Sequence, residues 1–267
     1  MRPTPVVRRG LSALTAALLA TGVTACGGAA PATPPASSSA PAADLPDPGA
    51  ARVDLAARAA LAQDHRYAAL YRYTAPGQAP RDVVVTVATD GSWRVDIPGG
   101  ALGGTADVSV VQTAAGLYQC SLPSPLQPVV ASCVRVGDPG DRIPRPYDPK
   151  VERVFRQWLS VFTDRRAALS VTQAKPLAGA EGQCFAVDTI SASLSATFDV
   201  GIYCYADDGL LTAARLDFGQ LVLNGSVAAP PPRVQLPGPV RAGDPLGMDA
   251  PPPPPSVLPS SLVPSAE

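Results

Sequence analysis

The chain has 267 residues and a formal net charge of -1, with 21 lysines and arginines against 22 acidic residues. This balance gives no electrostatic reason to expect a nucleic-acid partner, which needs a basic surface. Proline-rich stretches at both ends leave residues 50–228 for folding, and that length is typical of one domain.

The first 25 residues are typical of an export signal. Arg2, Arg8 and Arg9 precede residues 11–25, a run that carries no charge and is too short for a convincing membrane span. Arg8 and Arg9 also match a twin-arginine signal, although paired arginines are common in such regions. The sequence therefore predicts a signal peptide over residues 1–25.

The end of this run resembles the lipobox of bacterial lipoproteins, whose pattern is aliphatic, small, small, cysteine. Here the pattern is Val23-Thr24-Ala25-Cys26. The resemblance implies cleavage before Cys26, attachment of acyl chains to its sulfur and anchoring at the extracytoplasmic face of the cell membrane. Two or three acyl chains hold a protein stably, whereas one does not. An ordinary secretory signal cut after Ala25 is the alternative.

Residues 26–49 are rich in proline, alanine and serine. Such a stretch cannot bury enough apolar surface to order itself, so it predicts a flexible tether.

Hydrophobic periodicity predicts a helix and then an antiparallel meander. The helix spans residues 51–63 and carries an apolar stripe made of Val53, Ala57, Ala60 and Leu61. Predicted strands follow over residues 67–74, 83–97, 106–122 and 129–136, the second being a hairpin that turns at Asp90-Gly91.

The period then changes to that of a second helix. Asp148-Pro149 supplies a helix cap followed by proline at the first helical position. Six apolar residues follow at three- and four-residue steps: Val151, Val154, Phe155, Trp158, Leu159 and Phe162. Glu152 and Arg156 lie four residues apart on the opposite side of this helix.

A second meander and a tail complete the chain. Strands are predicted over residues 169–173 and 183–188. A further strand ends at Tyr205, a turn follows at Asp207-Asp208-Gly209, the next strand ends at Phe218, and the last spans residues 220–227. The fold class is therefore α+β, with an N-terminal and a central amphipathic helix segregated from an antiparallel sheet. Residues 229–267 contain PPP, LPGP and PPPPP, which predict an extended, disordered tail.

Four cysteines remain once Cys26 is assigned to acylation. They are Cys120, Cys133, Cys184 and Cys204, and an exported domain would hold an even set as two disulfides. Three pairings are possible. We favour Cys120–Cys133 and Cys184–Cys204, because each pair lies within one run of consecutive strands. A zinc site would need CxxC or histidine-rich spacing, which does not occur.

No group of residues matches a catalytic site. His65 is the single histidine and no GxSxG accompanies it. Asp207-Asp208-Gly209 lacks the alternating oxygens of a calcium loop. The glycines at 99–104 precede a strand, whereas a phosphate loop precedes a helix. We expect no enzymatic activity, no metal and no cofactor. An exported hydrolase is the weakest hypothesis for this chain.

The broad apolar face of the second helix raises a different possibility. If the sheet and the helices do not fully close, the gap between them is an apolar cavity suited to acyl chains. Its ligand-binding residues are then Val151, Val154, Phe155, Trp158, Leu159 and Phe162. An ordinary closed core explains the same residues equally well.

The whole pattern resembles the lipid-binding lipoproteins of high-GC Gram-positive bacteria, whose fold is similar to the LolA/LolB carriers. The resemblance covers the opening helix, both meanders, the central helix and the closing hairpin around YCYADDGLL. It implies a curved antiparallel half-barrel closed by helices over residues 50–228. The disordered termini are predicted from composition, and the long proline-rich tail departs from the compact carriers. It also implies binding or shuttling of lipids or lipoglycans. The alternative is a non-transporting surface or envelope-assembly lipoprotein with a closed core that acts through a protein partner.

Overall fold

The computed structural model describes residues 49–252 apart from residues 125–127, 129 and 191–197. The predicted signal peptide, Cys26, most of the tether and residues 253–267 lie outside the described residues.

Two α-helices and eleven strands make up this part of the chain. The helices are α1 (Ala50–Asp64) and α2 (Gln157–Thr163). The strands are β1 (Tyr67–Thr74), β2 (Arg81–Val87), β3 (Trp93–Ala101), β4 (Ala106–Thr113), β5 (Gly116–Leu122), β6 (Ser132–Gly137), β7 (Leu169–Ala174), β8 (Gln183–Thr189), β9 (Gly201–Tyr205), β10 (Leu211–Leu216) and β11 (Gly219–Leu223). Short 3₁₀ turns span Leu102–Gly104, Arg145–Tyr147 and Val151–Val154.

All eleven strands belong to one antiparallel sheet in the order β6-β5-β4-β3-β2-β1-β11-β10-β9-β8-β7. The sheet does not close, so β6 and β7 are its edges. The two predicted meanders join where β1 pairs with β11, with Tyr71 opposite Leu223. The prediction of an α+β fold with a large antiparallel sheet is confirmed.

The main core lies between one face of the sheet and the two helices. Strand β1 shows the alternation that places it there, because Tyr67, Ala69, Tyr71 and Tyr73 are buried. The Tyr71 hydroxyl donates a hydrogen bond to the Leu211 carbonyl at 2.7 Å, and its ring lies 4.8 Å from that of Phe155. We call this side of the sheet the helix face and the other side the outer face.

The first helix is where the sequence predicts it, but it buries a different stripe. Leu55, Ala59 and Ala62 face the core, whereas Val53 and Leu61 are 67% and 49% exposed. The predicted stripe was therefore wrong. Near the end of this stripe, Gly209 in the turn after β9 lies so close to α1 that an added Cβ would be 2.5 Å from the Ala62 nitrogen.

The second helix is broken rather than continuous. A 3₁₀ turn over Val151–Val154 is followed by α2, and Arg156 between them has a φ of -132°, outside the helical range. Glu152 lies on the 3₁₀ turn before this break and is only 4% exposed. The helical period places Glu152 opposite the apolar face, but the structure buries it as well.

Both predicted disulfides are confirmed. Cys120 on β5 pairs with Cys133 on β6, and Cys184 on β8 pairs with Cys204 on β9. In each case the two residues are directly opposite in the strand register, with Cα atoms 3.9 and 4.0 Å apart. The first bridge therefore fastens the β6 edge strand to its neighbour, and the second fastens two strands next to the opposite edge, β7.

The structure differs from the predicted disordered tail over residues 229–252. Residues 229–248, which we call the strap, first run along the outer face. The carbonyls of Pro231 and Pro232 accept hydrogen bonds from the backbone N–H groups of Thr89 and Asp90. Val234 then packs against an outer-face cluster that includes both cysteines of the first disulfide. Proline has no N–H to donate, but its carbonyl still accepts, so a proline-rich segment can dock where the sheet supplies donors.

The strap then passes around the β6 edge. The backbone N–H of Cys133 donates to the Pro239 carbonyl at 2.9 Å, and the N–H of Arg241 donates to the Cys133 carbonyl at 2.8 Å. Beyond the edge, Leu246 and Met248 pack against the main core. The strap thereby covers part of an edge strand whose backbone groups would otherwise lack partners.

Candidate functional site

The six residues predicted to bind a ligand are packed inside the core. Val151, Val154, Phe155, Trp158, Leu159 and Phe162 are between 0 and 4% exposed, and all belong to the cluster between the helices and the sheet. The ring of Phe162 lies 4.9 Å from that of Tyr203. Phe162 also borders a hollow between α1 and α2. The structure thus brings these six side chains together as packed core residues.

A cavity of about 400 Å³ lies beside this cluster, at the ends of β3, β4 and β5. We call it the Glu152 cavity. Its sheet wall consists of Trp93, Gln112 and Leu117. The other walls come from the loop after β6 and from the broken helix: Gly140, Asp141, Arg142, Ile143, Glu152, Arg156, Gln157 and Ser160.

Strand register builds the sheet wall of the cavity. Trp93 on β3 is opposite Gln112 on β4, and Gln112 is opposite Leu117 on β5. The backbone N–H of Gly140 donates to Gln112 Oε1 at 3.0 Å, which fastens the loop to this wall. Strand pairing and the Gly140–Gln112 hydrogen bond therefore fix the sheet wall and the loop wall of the cavity relative to each other.

Glu152 is the most unusual polar group in the cavity wall. Its Oε2 has no hydrogen-bond partner among the described residues. Burial raises the pKa of its carboxyl well above the ordinary value, and the neighbouring Asp148 carboxylate raises that pKa further. Both effects favour the neutral, protonated form of Glu152.

A buried ionic network lies directly behind Glu152. Arg153 pairs with Asp148 through Nε at 2.7 Å, and its Nη1 lies 3.4 Å from Asp199 Oδ1. The indole N–H of Trp158 donates to Asp199 Oδ2 at 2.9 Å. Burial is the main cause that raises the pKa of Asp199. This network holds the 3₁₀ turn against α2 and so orients Glu152.

Two arginines line the same cavity without a carboxylate partner among the described residues. The Arg142 guanidinium lies 5.6 Å from the ring centre of Trp158, and Arg156 Nη1 donates to the Gln63 carbonyl at 3.4 Å. Burial and the nearby Arg66 lower the pKa of Arg156. Both guanidinium groups therefore have N–H donors that no carboxylate of the described residues accepts.

The other candidate residues adopt structural roles. The Leu210 N–H donates to Asp208 Oδ1 at 2.9 Å, and Arg58 pairs with Asp207 at 2.8 Å, as in a hairpin turn beside a helix. His65 Nε2 lies 4.0 Å from Asp208 Oδ2. Within residues 49–252, leaving aside the gaps, no three histidine, cysteine or acidic side chains cluster in a way that could hold a metal ion.

Sequence reasoning missed the Glu152 cavity. Trp93, Gln112 and Leu117 are predicted only as strand residues, and residues 140–143 fall between predicted elements. The one available signal was the placement of Glu152 and Arg156 four residues apart on the same helix, which predicts an interaction between their side chains and not a cavity.

Comparison with known proteins adds no assignment. No protein-family model matches the chain, and no curated protein sequence matches it. The described residues form an α+β domain with an open, eleven-stranded antiparallel sheet and two α-helices. Neither described helix has the length and apolar character needed to cross a membrane.

Proposed function

We propose that this chain is a membrane-anchored extracytoplasmic lipoprotein that binds or carries lipids or lipoglycans, and that acylated Cys26 holds it at the membrane. The Glu152 cavity is the observation that carries the proposal, because its volume of about 400 Å³ is within the range of small-molecule sites. Trp93, Leu117 and Ile143 give it apolar walls, while arginines and other polar side chains supply the rest.

The proposed fold is a curved half-barrel similar to the LolA/LolB carriers. Open sheets that twist strongly rarely exceed about ten strands without curling, and this sheet has eleven. Both helices contribute to the single core on the helix face. A curled sheet with helices on its inner side matches the architecture that the sequence resemblance implies.

The ligand site in this proposal differs from the one expected from sequence. The six apolar residues of the broken helix are packed against the sheet, so a ligand cannot occupy their face without displacing core side chains. The Glu152 cavity lies beside this face, where Arg156, Gln157 and Ser160 line it. The packed face supports the walls of the cavity, and the cavity receives the ligand.

Filling the cavity tests this function. Ser160 is exposed and lines the cavity, so Ser160→Trp is expected to block lipid binding while leaving the core packed. The control is Ala60→Trp, at an exposed position of α1 outside the cavity. Native mass spectrometry of detergent-free protein, relipidated with a membrane lipid extract, should show lipid on the parent chain and on Ala60→Trp only. Equal lipid on all three would refute the cavity as the binding site.

Anchoring is tested separately at Cys26. The motif ending in Cys26 implies that Cys26→Ala abolishes acylation and releases the chain from membranes. For the parent chain, intact-mass analysis of the membrane fraction should give a mature protein that begins at Cys26 and carries acyl groups. An unacylated chain that begins elsewhere would favour the ordinary secretory signal.

The burial of the six helix residues favours a second candidate function. A surface or envelope-assembly lipoprotein with a closed core would act through a protein partner and would need no internal ligand. Such a protein should carry no lipid before or after relipidation, and Ser160→Trp should then change neither the amount of bound lipid nor the stability of the domain.

A further inference from the structure

We propose that the Glu152 cavity binds the phosphate head group of an anionic amphiphile, with Arg142 and Arg156 as the groups that hold the phosphate. The proposal deepens the lipid-binding function and rests on it. It names the part of the ligand that the cavity receives and the charge that this part carries.

The first support is the charge of the cavity walls. Arg142 and Arg156 line the cavity, and neither forms an ion pair with a carboxylate of the described residues. Of the two acids in the walls, Asp141 is exposed and Glu152 is buried. Arg142 is exposed, whereas Arg156 is half-buried. A half-buried guanidinium such as that of Arg156 is costly without a counter-ion, and an anion in the cavity would offset that cost while also attracting Arg142. The phosphate group matches the fork of N–H donors that arginine presents.

The second support is the state of Glu152. An ionised carboxylate in this wall would repel a phosphate, but burial and the Asp148 carboxylate favour the neutral acid. Glu152 is 4% exposed, and its Oε2 has no hydrogen-bond partner among the described residues. The neutral Glu152 carboxyl hydrogen-bonds to the Asp148 carboxylate, which leaves Oε2 as an acceptor for a ligand hydroxyl. The wall therefore contains an unpaired acceptor that suits a phosphate bearing hydroxyl groups nearby.

The third support is the mixture of polar and apolar walls. Trp93, Leu117 and Ile143 are buried apolar residues on the walls opposite α2. These side chains already pack in the core, and the small surface that they leave at the cavity is apolar. The glycerol and first acyl carbons of a lipid would contact that surface better than a free phosphate would. A cavity of about 400 Å³ is small for a whole lipid, so the acyl chains extend out of it.

Three amphiphiles with the same acyl chains, together with glycerol 3-phosphate, separate the sources of binding. The full chain carrying Cys26→Ser, which cannot be acylated, is titrated by calorimetry with dihexanoyl phosphatidic acid, dihexanoyl phosphatidylcholine, dihexanoylglycerol and glycerol 3-phosphate. All probes are used as monomers below their micelle concentrations. We expect the phosphatidic acid to bind at least about tenfold more tightly than the phosphatidylcholine and the diacylglycerol, which is about 1.4 kcal/mol.

Arginine variants then identify the residues that hold the phosphate. Arg142→Gln and Arg156→Gln should each weaken phosphatidic acid binding about tenfold and leave diacylglycerol binding unchanged. Arg215→Gln, at an exposed arginine of β10 that does not line the cavity, is the matched control. Thermal unfolding of each variant shows whether it is folded. If Arg156→Gln unfolds, Arg142→Gln alone decides the role of the arginines.

Each outcome separates the head-group proposal from the lipid-binding function. Equal binding of the charged and neutral amphiphiles, unaffected by the arginine variants, overturns the head-group proposal and leaves lipid binding standing. Binding of glycerol 3-phosphate as tight as that of the phosphatidic acid, and lost in the variants, supports the phosphate site but contradicts a lipid ligand. If none of the four probes binds, both proposals fail.

Discussion

Gly91 and Gly209 occupy the same position in two Asp-Gly hairpin turns, yet their surroundings differ. Both have positive φ, +85° and +88°. In both turns the preceding aspartate accepts a backbone N–H, from Ser92 and from Leu210. A Cβ at position 91 would meet nothing within 4 Å, whereas one at position 209 would lie 2.5 Å from the Ala62 nitrogen of α1. The second turn is therefore part of the packing between the sheet and α1.

Alanine substitutions at these two glycines should separate backbone strain from steric contact. Gly91→Ala introduces the strain alone and should lower the free energy of unfolding by about 1 kcal/mol. Gly209→Ala adds a clash with the helix backbone and should cost about 1–3 kcal/mol more. Urea denaturation of both variants measures the difference. Equal losses at the two positions would contradict the close approach of this turn to α1.

Glu152 should make the stability of the domain depend on pH. Because its folded-state pKa is raised, the folded chain keeps the proton at pH values where the unfolded chain has already lost it. Stability therefore falls as pH rises from the ordinary glutamate value towards the raised one, by up to about 1.4 kcal/mol per pH unit. Glu152→Gln removes this term and should stabilise the protein at pH 7 more than at pH 4.

Denaturation of the parent chain and Glu152→Gln across pH 4–8 measures that term. Taking the difference between the two chains cancels the contribution of the other titrating groups to the pH dependence of stability. Glu181→Gln, at an exposed glutamate outside the cavity, is the control. A stability difference between parent and Glu152→Gln that stays constant across this range would show that the Glu152 carboxyl is not held neutral in the fold.

At the level of elements, periodicity and turn residues identified most of the strands but not the course of the second helix. The Asp90-Gly91 turn and the flanking β-branched runs correspond to β2 and β3. Apolar residues at positions 151–162 fit a helical period, and all six do enter the core. The break at Arg156 has no local signal in the sequence. Next to it, Arg153 pairs with Asp148 and with the distant Asp199, contacts that helical periodicity does not predict.

The strap shows the limit of compositional reasoning. Its prolines predict an extended chain without secondary structure, which describes its local conformation well. Order in the strap depends on donors from residues far away in sequence, such as the N–H groups of Thr89 and Cys133. Gln119 contributes similarly, because its Nε2 donates to the Leu246 carbonyl at 3.0 Å and its Oε1 accepts the Leu246 N–H at 2.6 Å.

Gln119→Leu should loosen the end of the strap. The substitution leaves the backbone groups of Leu246 without their partners, at a cost of about 1–3 kcal/mol. Amide hydrogen exchange at residues 246–248 should accelerate, while exchange in β9 and β10 stays unchanged. The control is Gln220→Leu on β11, because the Gln220 side chain forms no hydrogen bond with the strap among the described residues. Unchanged protection of residues 246–248 in Gln119→Leu would contradict docking of this segment through Gln119.

At the level of the whole molecule, the fold class was predictable from sequence and the location of the cavity was not. Apolar alternation and turn residues are local signals that can be recognised within a single segment. The two disulfides were predictable because each joins strands that are consecutive in the chain and adjacent in the sheet. The Glu152 cavity combines a strand start at Trp93, a loop at Arg142 and a 3₁₀ turn at Glu152. Their proximity depends on how the sheet packs against the helices, which no single segment encodes.

Photolabelling tests most directly whether an amphiphile binds in the Glu152 cavity. The full chain with Cys26→Ser is irradiated with a short-chain phosphatidic acid that carries a diazirine near its glycerol, and labelled peptides are identified by mass spectrometry. We expect labels on residues 140–143 and 152–160, competed by unlabelled lipid and lost in Ser160→Trp. Labels that are confined to other parts of the domain, or that Ser160→Trp does not reduce, would contradict binding in this cavity.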